Sequence, residues 1–250
     1  MGFISYLVLF LIVLLGGGIG FYFNKPKPAH LSTLLSFSGA YLLGICVLHL
    51  MPEVFSSQVK GIGIWVLGGF LLQLVLEFLS KGVEHAHIHA RAKAPLSFGF
   101  QILLGLFLHA FLEGLPLGLE HHHHHLGESD HASDFNMAFY LGILLHKLPA
   151  AFALVMVLLY SGFHKRMVMV CLVLFALASP LGGLLAESGL VKFFSRPGVV
   201  QIIFALVLGS FLHIATTILF EMDKSGHHEI PLKKLLAIFL GLALSIFIAL

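Results

Sequence analysis

Eight runs of apolar residues follow one another along the 250-residue chain, separated by short polar stretches. A run of about 20 residues crosses roughly 30 Å of hydrocarbon as an α-helix. The pattern therefore predicts eight membrane-spanning helices, over residues 3–23, 31–51, 62–79, 96–119, 137–159, 167–185, 199–220 and 232–250. The expected fold is all-α, a single polytopic domain over 1–250 with no room for a soluble domain. The first run has no basic stretch before it and no small-residue cleavage signature after it, so it is expected to be a retained span.

Composition agrees with the pattern. The chain is 58% hydrophobic and 10% charged, with a mean hydropathy of +1.00, which excludes an ordinary soluble globular domain. The lipid bilayer is thus an expected partner. A net charge of +2 gives no reason to expect nucleic acid. The two cysteines, Cys46 and Cys171, both fall inside predicted spans, which argues against a disulfide framework or a thiolate zinc site. Trp65, Tyr6 and Tyr22 read as interfacial anchors near span ends.

The charges orient the spans. Loops after the first, third, fifth and seventh spans hold Lys25, Lys27, Lys81, Arg91, Lys93, Lys165, Arg166, Lys224, Lys233 and Lys234. The opposite loops hold only Lys60, Lys192 and Arg196. Basic residues collect on the cytoplasmic side, so both termini are predicted to be outside. The loop 120–134 then faces outward and carries His121, His122, His123, His124, His125 and His131. The loop 81–95 faces the cytoplasm and carries His85, His87 and His89. Such histidines can collect divalent ions without a preformed site, the alternatives being a plain polar loop or, for the five-histidine run, an affinity tag.

The fourth and fifth spans hold the most informative groups, because ionisable side chains inside a bilayer are expensive and usually functional. His109 and Glu113 are four residues apart in the fourth span, so a helix puts them on one face. His146 lies in the fifth span. A rise of about 1.5 Å per residue sets His109 roughly 15 Å below the outer end of its span and His146 roughly 14 Å below its own. The matched depths allow two imidazoles and a carboxylate to share one ion near the midplane, a donor set that suits zinc first and iron, manganese or cadmium after it. Pro116 and Pro149 free one carbonyl each, at Leu112 and Leu145, and predict bent or broken helices beside these groups. Gly114 and Gly118 permit close helix approach. For any one of these histidines taken singly, a hydrogen bond to a neighbouring helix is the competing explanation. His49, Glu53 and His213 are candidate pathway-lining groups, whereas Glu77 and Glu221 read as solvated at the inner face.

With these residues in view, the chain resembles the ZIP family of divalent metal transporters, the Zrt/Irt-like proteins. The resemblance rests on the eight spans, the histidine-bearing loop after the third, His109, Glu113 and Gly114 as an H-x-x-x-E-G element, and His146 followed by Pro149. HLMPE at 49–53 and SPLGG at 179–183 add weaker likeness. Many members place a carboxylate directly after the span-five histidine and a further ligand directly after the proline, building a two-metal site. Lys147 and Ala150 stand there in this chain, and Ala110 follows His109. The resemblance is therefore to the branch with His-Lys in the fifth span, and it implies one core metal, held by His109, Glu113 and His146. Lys147 would be a tethered cation at the second-metal position, offsetting Glu113 while the site is empty.

The resemblance further implies a 3+2+3 helix arrangement, spans one, four, five and six carrying the metal, and alternating access that moves Zn2+, or Cd2+, Fe2+ or Mn2+, toward the cytoplasm. The ion is then substrate rather than cofactor, and no enzymatic activity or other cofactor is expected. The plasma membrane is the expected location, and a homodimer is left open. Imidazole binds metal only when deprotonated, so acid near its ordinary pKa of about 6.5 is expected to weaken binding. Two other readings exist: a membrane zinc hydrolase with Glu113 as base, weakened by the absence of HExxH, and a haem b electron carrier on paired histidines.

Overall fold

The computed structural model describes residues 3–22, 28–83, 94–119, 130–188, 196, 198–220 and 231–249. Long helices account for nearly all of these residues: α1 (Phe3–Tyr22), α2 (Pro28–Ile45, carried on through Cys46–Leu50 and Met51–Phe55), α3 (Ile62–Ser80), α4 (Leu96–Leu119), α5 (Asp130–Tyr160), α6 (Lys165–Glu187), α7 (Val199–Phe220) and α8 (Leu232–Ala249). Each contains a stretch long and apolar enough to cross a membrane. Hydrocarbon offers the backbone no partner, so apolar segments of this length satisfy their amides within themselves.

Three details differ from the expectation. The second span continues to Phe55 rather than ending at Met51. Pro52 has no N–H to return to Leu48, and the chain absorbs this with a wide turn in which the Met51 amide donates to the Cys46 carbonyl, five residues back. Second, α5 begins at Asp130, inside the stretch 120–134 that reads as loop; its apolar window starts only at Met137. Apolar patterning finds the membrane part of a helix but not its polar extension. Third, α4 and α5 run unbroken through Pro116 and Pro149. A proline removes one hydrogen bond of the ladder, and tight packing on both sides keeps the helix going.

The principal helix pairings are α4 with α6, α3 with α7, α2 with α8 and α1 with α5, followed by α1 with α6, α3 with α4, α2 with α7 and α2 with α5. Exchanging α1–α3 with α6–α8, and α4 with α5, maps the four principal pairings onto one another. This is the pattern of two three-helix repeats around a central helix pair, a 3+2+3 arrangement. The most enclosed helix is α5, with 78% of its apolar window buried, while α8 and α3 are at 17% and 22% and lie at the periphery. One apolar core joins α1, α4, α5 and α6 through Val13, Ile102, Leu106, Leu154, Leu172 and Phe175. A second joins α5 to α2 and α7 through Tyr41, Phe139, Ile143, Leu208 and Phe211.

Lipid is as apolar as leucine, so helix association here depends on close contact and interhelical hydrogen bonds. Gly114 of α4 lies against the Ser179 carbonyl of α6, and Gly182 of α6 lies against the Phe111 carbonyl of α4. Gly69 and Gly209 do the same for α3 and α7. Hydrogen bonds add to this: Ser179 Oγ donates to the Ala110 carbonyl at 2.7 Å, Tyr140 to the Ser5 carbonyl at 2.8 Å, and Tyr41 to the Ala138 carbonyl at 3.0 Å.

Candidate metal centre

The backbone contact between α4 and α6 and the central position of α5 bring three side chains together. One ligand atom from each of His109, Glu113 and His146 can be chosen so that all lie within 4.8 Å of one another, and all three residues are buried. The His109 and His146 rings are perpendicular, with centroids 6.0 Å apart. His109 Nε2 lies 2.6 Å from Glu113 Oε1, as expected for residues one helical turn apart.

Lys147 is buried beside them. Its Nζ donates to Glu113 Oε2 at 2.7 Å and lies 5.2 Å from the centre of the Phe175 ring. The carboxylate is therefore divided: Oε2 holds the ammonium and Oε1 faces His109. Burying a lone carboxylate costs far more than burying a hydrogen-bonded pair, and Lys147 supplies the opposite charge.

A residue not singled out by sequence completes the surroundings. Gln73 of α3 is fully buried, and its Oε1 accepts from His109 Nδ1 at 2.8 Å and from Ser210 Oγ of α7 at 2.9 Å. The signal available was a lone amide within a strongly apolar run. A cavity of about 30 Å³ lies between α3, α4 and α7, with Gln73, Glu113 and Ser210 as its polar lining amid leucine, isoleucine and valine. That is space for about two waters.

The other candidate residues lie elsewhere. His49 is half-buried just before the Met51–Phe55 segment and Glu53 is exposed. His213 is buried on α7, where Nε2 lies 2.5 Å from Glu77 Oε2 of α3 and the ring meets Phe70 edge-on. Glu77 is thus a hydrogen-bond partner within the α3–α7 contact rather than a solvated terminal group. It sits one turn along from Gln73, and His213 one turn along from Ser210, so two polar pairs line the same helix contact. Tyr6 also departs from its expected role as an interfacial anchor: it is 4% exposed and donates to Glu187 Oε2 at 3.0 Å. Cys46 and Cys171 are free and buried. The clusters His85, His87, His89 and His121 to His125, together with Glu221, lie outside the described residues; His131 falls on the first turn of α5, and its side chain is likewise outside them.

Comparison with known proteins gives the same direction. Zinc transporter ZIP9 of Xenopus tropicalis is 34% identical over 97 residues, 37% of this chain and 32% of the relative. ZIP9-B of Xenopus laevis is 36% identical over 93 residues, 35% of this chain and 31% of the relative. ZIP9 of Macaca fascicularis is 32% identical over 97 residues, 37% of this chain and 41% of the relative. The chain spans about a third of the length of the first curated relatives it matches. The family model described as ZIP zinc transporter matches residues 84–249, which include both histidine-bearing helices of the candidate centre. The chain is a multi-pass membrane protein and belongs to the ZIP zinc transporter family.

Proposed function

We propose that this protein moves zinc, or a related divalent ion, toward the cytoplasm by alternating access, with a single ion held at mid-depth by His109, Glu113 and His146. The observation that carries the reading is the buried triad, with ligand atoms within 4.8 Å on two neighbouring helices of a ZIP family member. Two imidazoles and one carboxylate bind a first-row dication and leave coordination positions open, as a site that must release its ion requires. Lys147 acts as the tethered cation: its contact with Glu113 Oε2 supports a role in compensating the carboxylate while no ion is bound. The lopsided loop charges support external termini, and the plasma membrane is the proposed host.

The competing readings have less behind them. A hydrolase needs Glu113 as its base, which leaves only His109 and His146 of this described cluster to hold the metal. A haem carrier would give the Glu113–Lys147 pair, buried beside the two histidines, no role.

The test is uptake into proteoliposomes of zinc, cadmium, iron and manganese in turn. His109→Ala and His146→Ala are each expected to reduce zinc uptake by about tenfold or more, since each removes one of three ligands. Equal uptake by all three proteins would overturn the assignment of the site.

A further inference from the structure

We infer that Gln73 is a positioning residue for the ion site, acting on His109 from a helix that contributes no ligand. The inference rests on the proposed role of His109 as a ligand. Gln73 lies on α3, paired with α7, whereas His109 lies on α4, whose main partner is α6. The hydrogen bond from His109 Nδ1 to Gln73 Oε1 therefore crosses between the two helix groups.

An amide oxygen only accepts, so the proton on this side of the ring sits on Nδ1. Nε2 is then the nitrogen that faces Glu113 Oε1, where an ion would replace the proton that a 2.6 Å contact between these atoms requires. Ser210 Oγ donates to the same oxygen and fixes the amide from a second helix. A fully buried glutamine in an apolar span is costly unless bonded, and here one of its bonds goes to a candidate ligand. Ligating histidines usually have their second nitrogen held by a carbonyl or carboxylate, and loss of that partner typically weakens metal binding ten- to a hundredfold. A shift of α4 relative to α3 would break this bond. The orientation of His109 is thus tied to the relative position of the two helix groups.

The experiment is zinc titration of the purified protein in lipid nanodiscs, with nitrogen-15 NMR of labelled histidine, the His109 signals being identified by their loss in His109→Ala. Gln73→Met removes the acceptor at similar length and is expected to weaken zinc binding about tenfold or more and to abolish the Nδ1-protonated signature of His109. Gln73→Glu keeps an oxygen at the same atom and is expected to retain that signature, with zinc bound at least as tightly as by the wild type. Ser210→Ala, a milder change, is expected to weaken binding about threefold with a partial loss of the signature.

Wild-type affinity in Gln73→Met and Ser210→Ala, with His109→Ala impaired, overturns the positioning role and leaves the site intact. Weakened binding with an unchanged His109 signature overturns it too, since the loss would then be one of packing. If Gln73→Met does not fold, an unchanged signature in Ser210→Ala overturns it and a partial loss supports it. Wild-type binding by His109→Ala overturns the site itself, and the positioning role with it.

Discussion

Lys147→Met is expected to give a protein that, in the presence of a chelator, unfolds well below the wild-type temperature, and that saturating zinc largely restores. The residue is 1% exposed and its ammonium is 2.7 Å from Glu113 Oε2. Methionine keeps the volume and the contact with Phe175 but leaves the carboxylate buried without its cation. Breaking one side of a buried ion pair typically costs about 3–5 kcal/mol. A dication bound at His109, Glu113 and His146 would supply the missing positive charge, so the variant gains more from zinc than the wild type, where ion and ammonium repel each other. Zinc at a hundred times its dissociation constant stabilises the folded state by about 2.7 kcal/mol in any case, so the telling quantity is the difference between the two shifts. Glu113→Gln is the converse: it leaves the ammonium unpaired and removes a ligand, and zinc should not restore it. Thermal unfolding of the purified proteins with chelator and with zinc measures all of this. Equal zinc shifts in wild type and Lys147→Met would remove the tethered-cation role.

The contribution of sequence differs from residue to residue for physical reasons. Span length and apolar content define helices that cross a bilayer, because hydrocarbon admits few alternatives. The triad was legible too, since four-residue spacing fixes His109 against Glu113, and a constant rise per residue brings His146 level with them. What escaped were contacts between helices distant in sequence. Gln73 meets His109 across 36 residues and Ser210 across 137. Glu77 meets His213 across 136. Tyr6 meets Glu187 across 181. None of these pairings can be read from a single span, and each forms only once the helices pair. The continuity of α4 and α5 through their prolines has the same origin, because neighbouring helices rather than local propensity decide whether a proline interrupts a membrane helix.

Gly114→Ala should show how far the site depends on backbone contact. Gly114 follows Glu113 directly, and a methyl group there would overlap the Ser179 carbonyl oxygen and lie 2.9 Å from both the carbonyl carbon and Cα of that residue. All three atoms are backbone, so no rotamer change relieves the clash. The helices α4 and α6 would have to separate or slide. That would strain the bond from Ser179 Oγ to the Ala110 carbonyl and swing Glu113 away from His146. Overpacking a well-packed core costs about 1–3 kcal/mol when side chains can shift, and a backbone clash that forbids this should cost at least as much. The expected result is a large loss of correctly folded protein, together with zinc uptake near background in whatever folds. The control is Gly18→Ala on α1, where a methyl group would meet nothing within 4 Å. In a helix that substitution should be neutral or slightly stabilising. Yield of monodisperse protein and zinc uptake, measured on both variants, separate the close approach from any general intolerance to alanine. If Gly114→Ala matched Gly18→Ala in both measurements, the α4–α6 contact would not be what holds Glu113 in place.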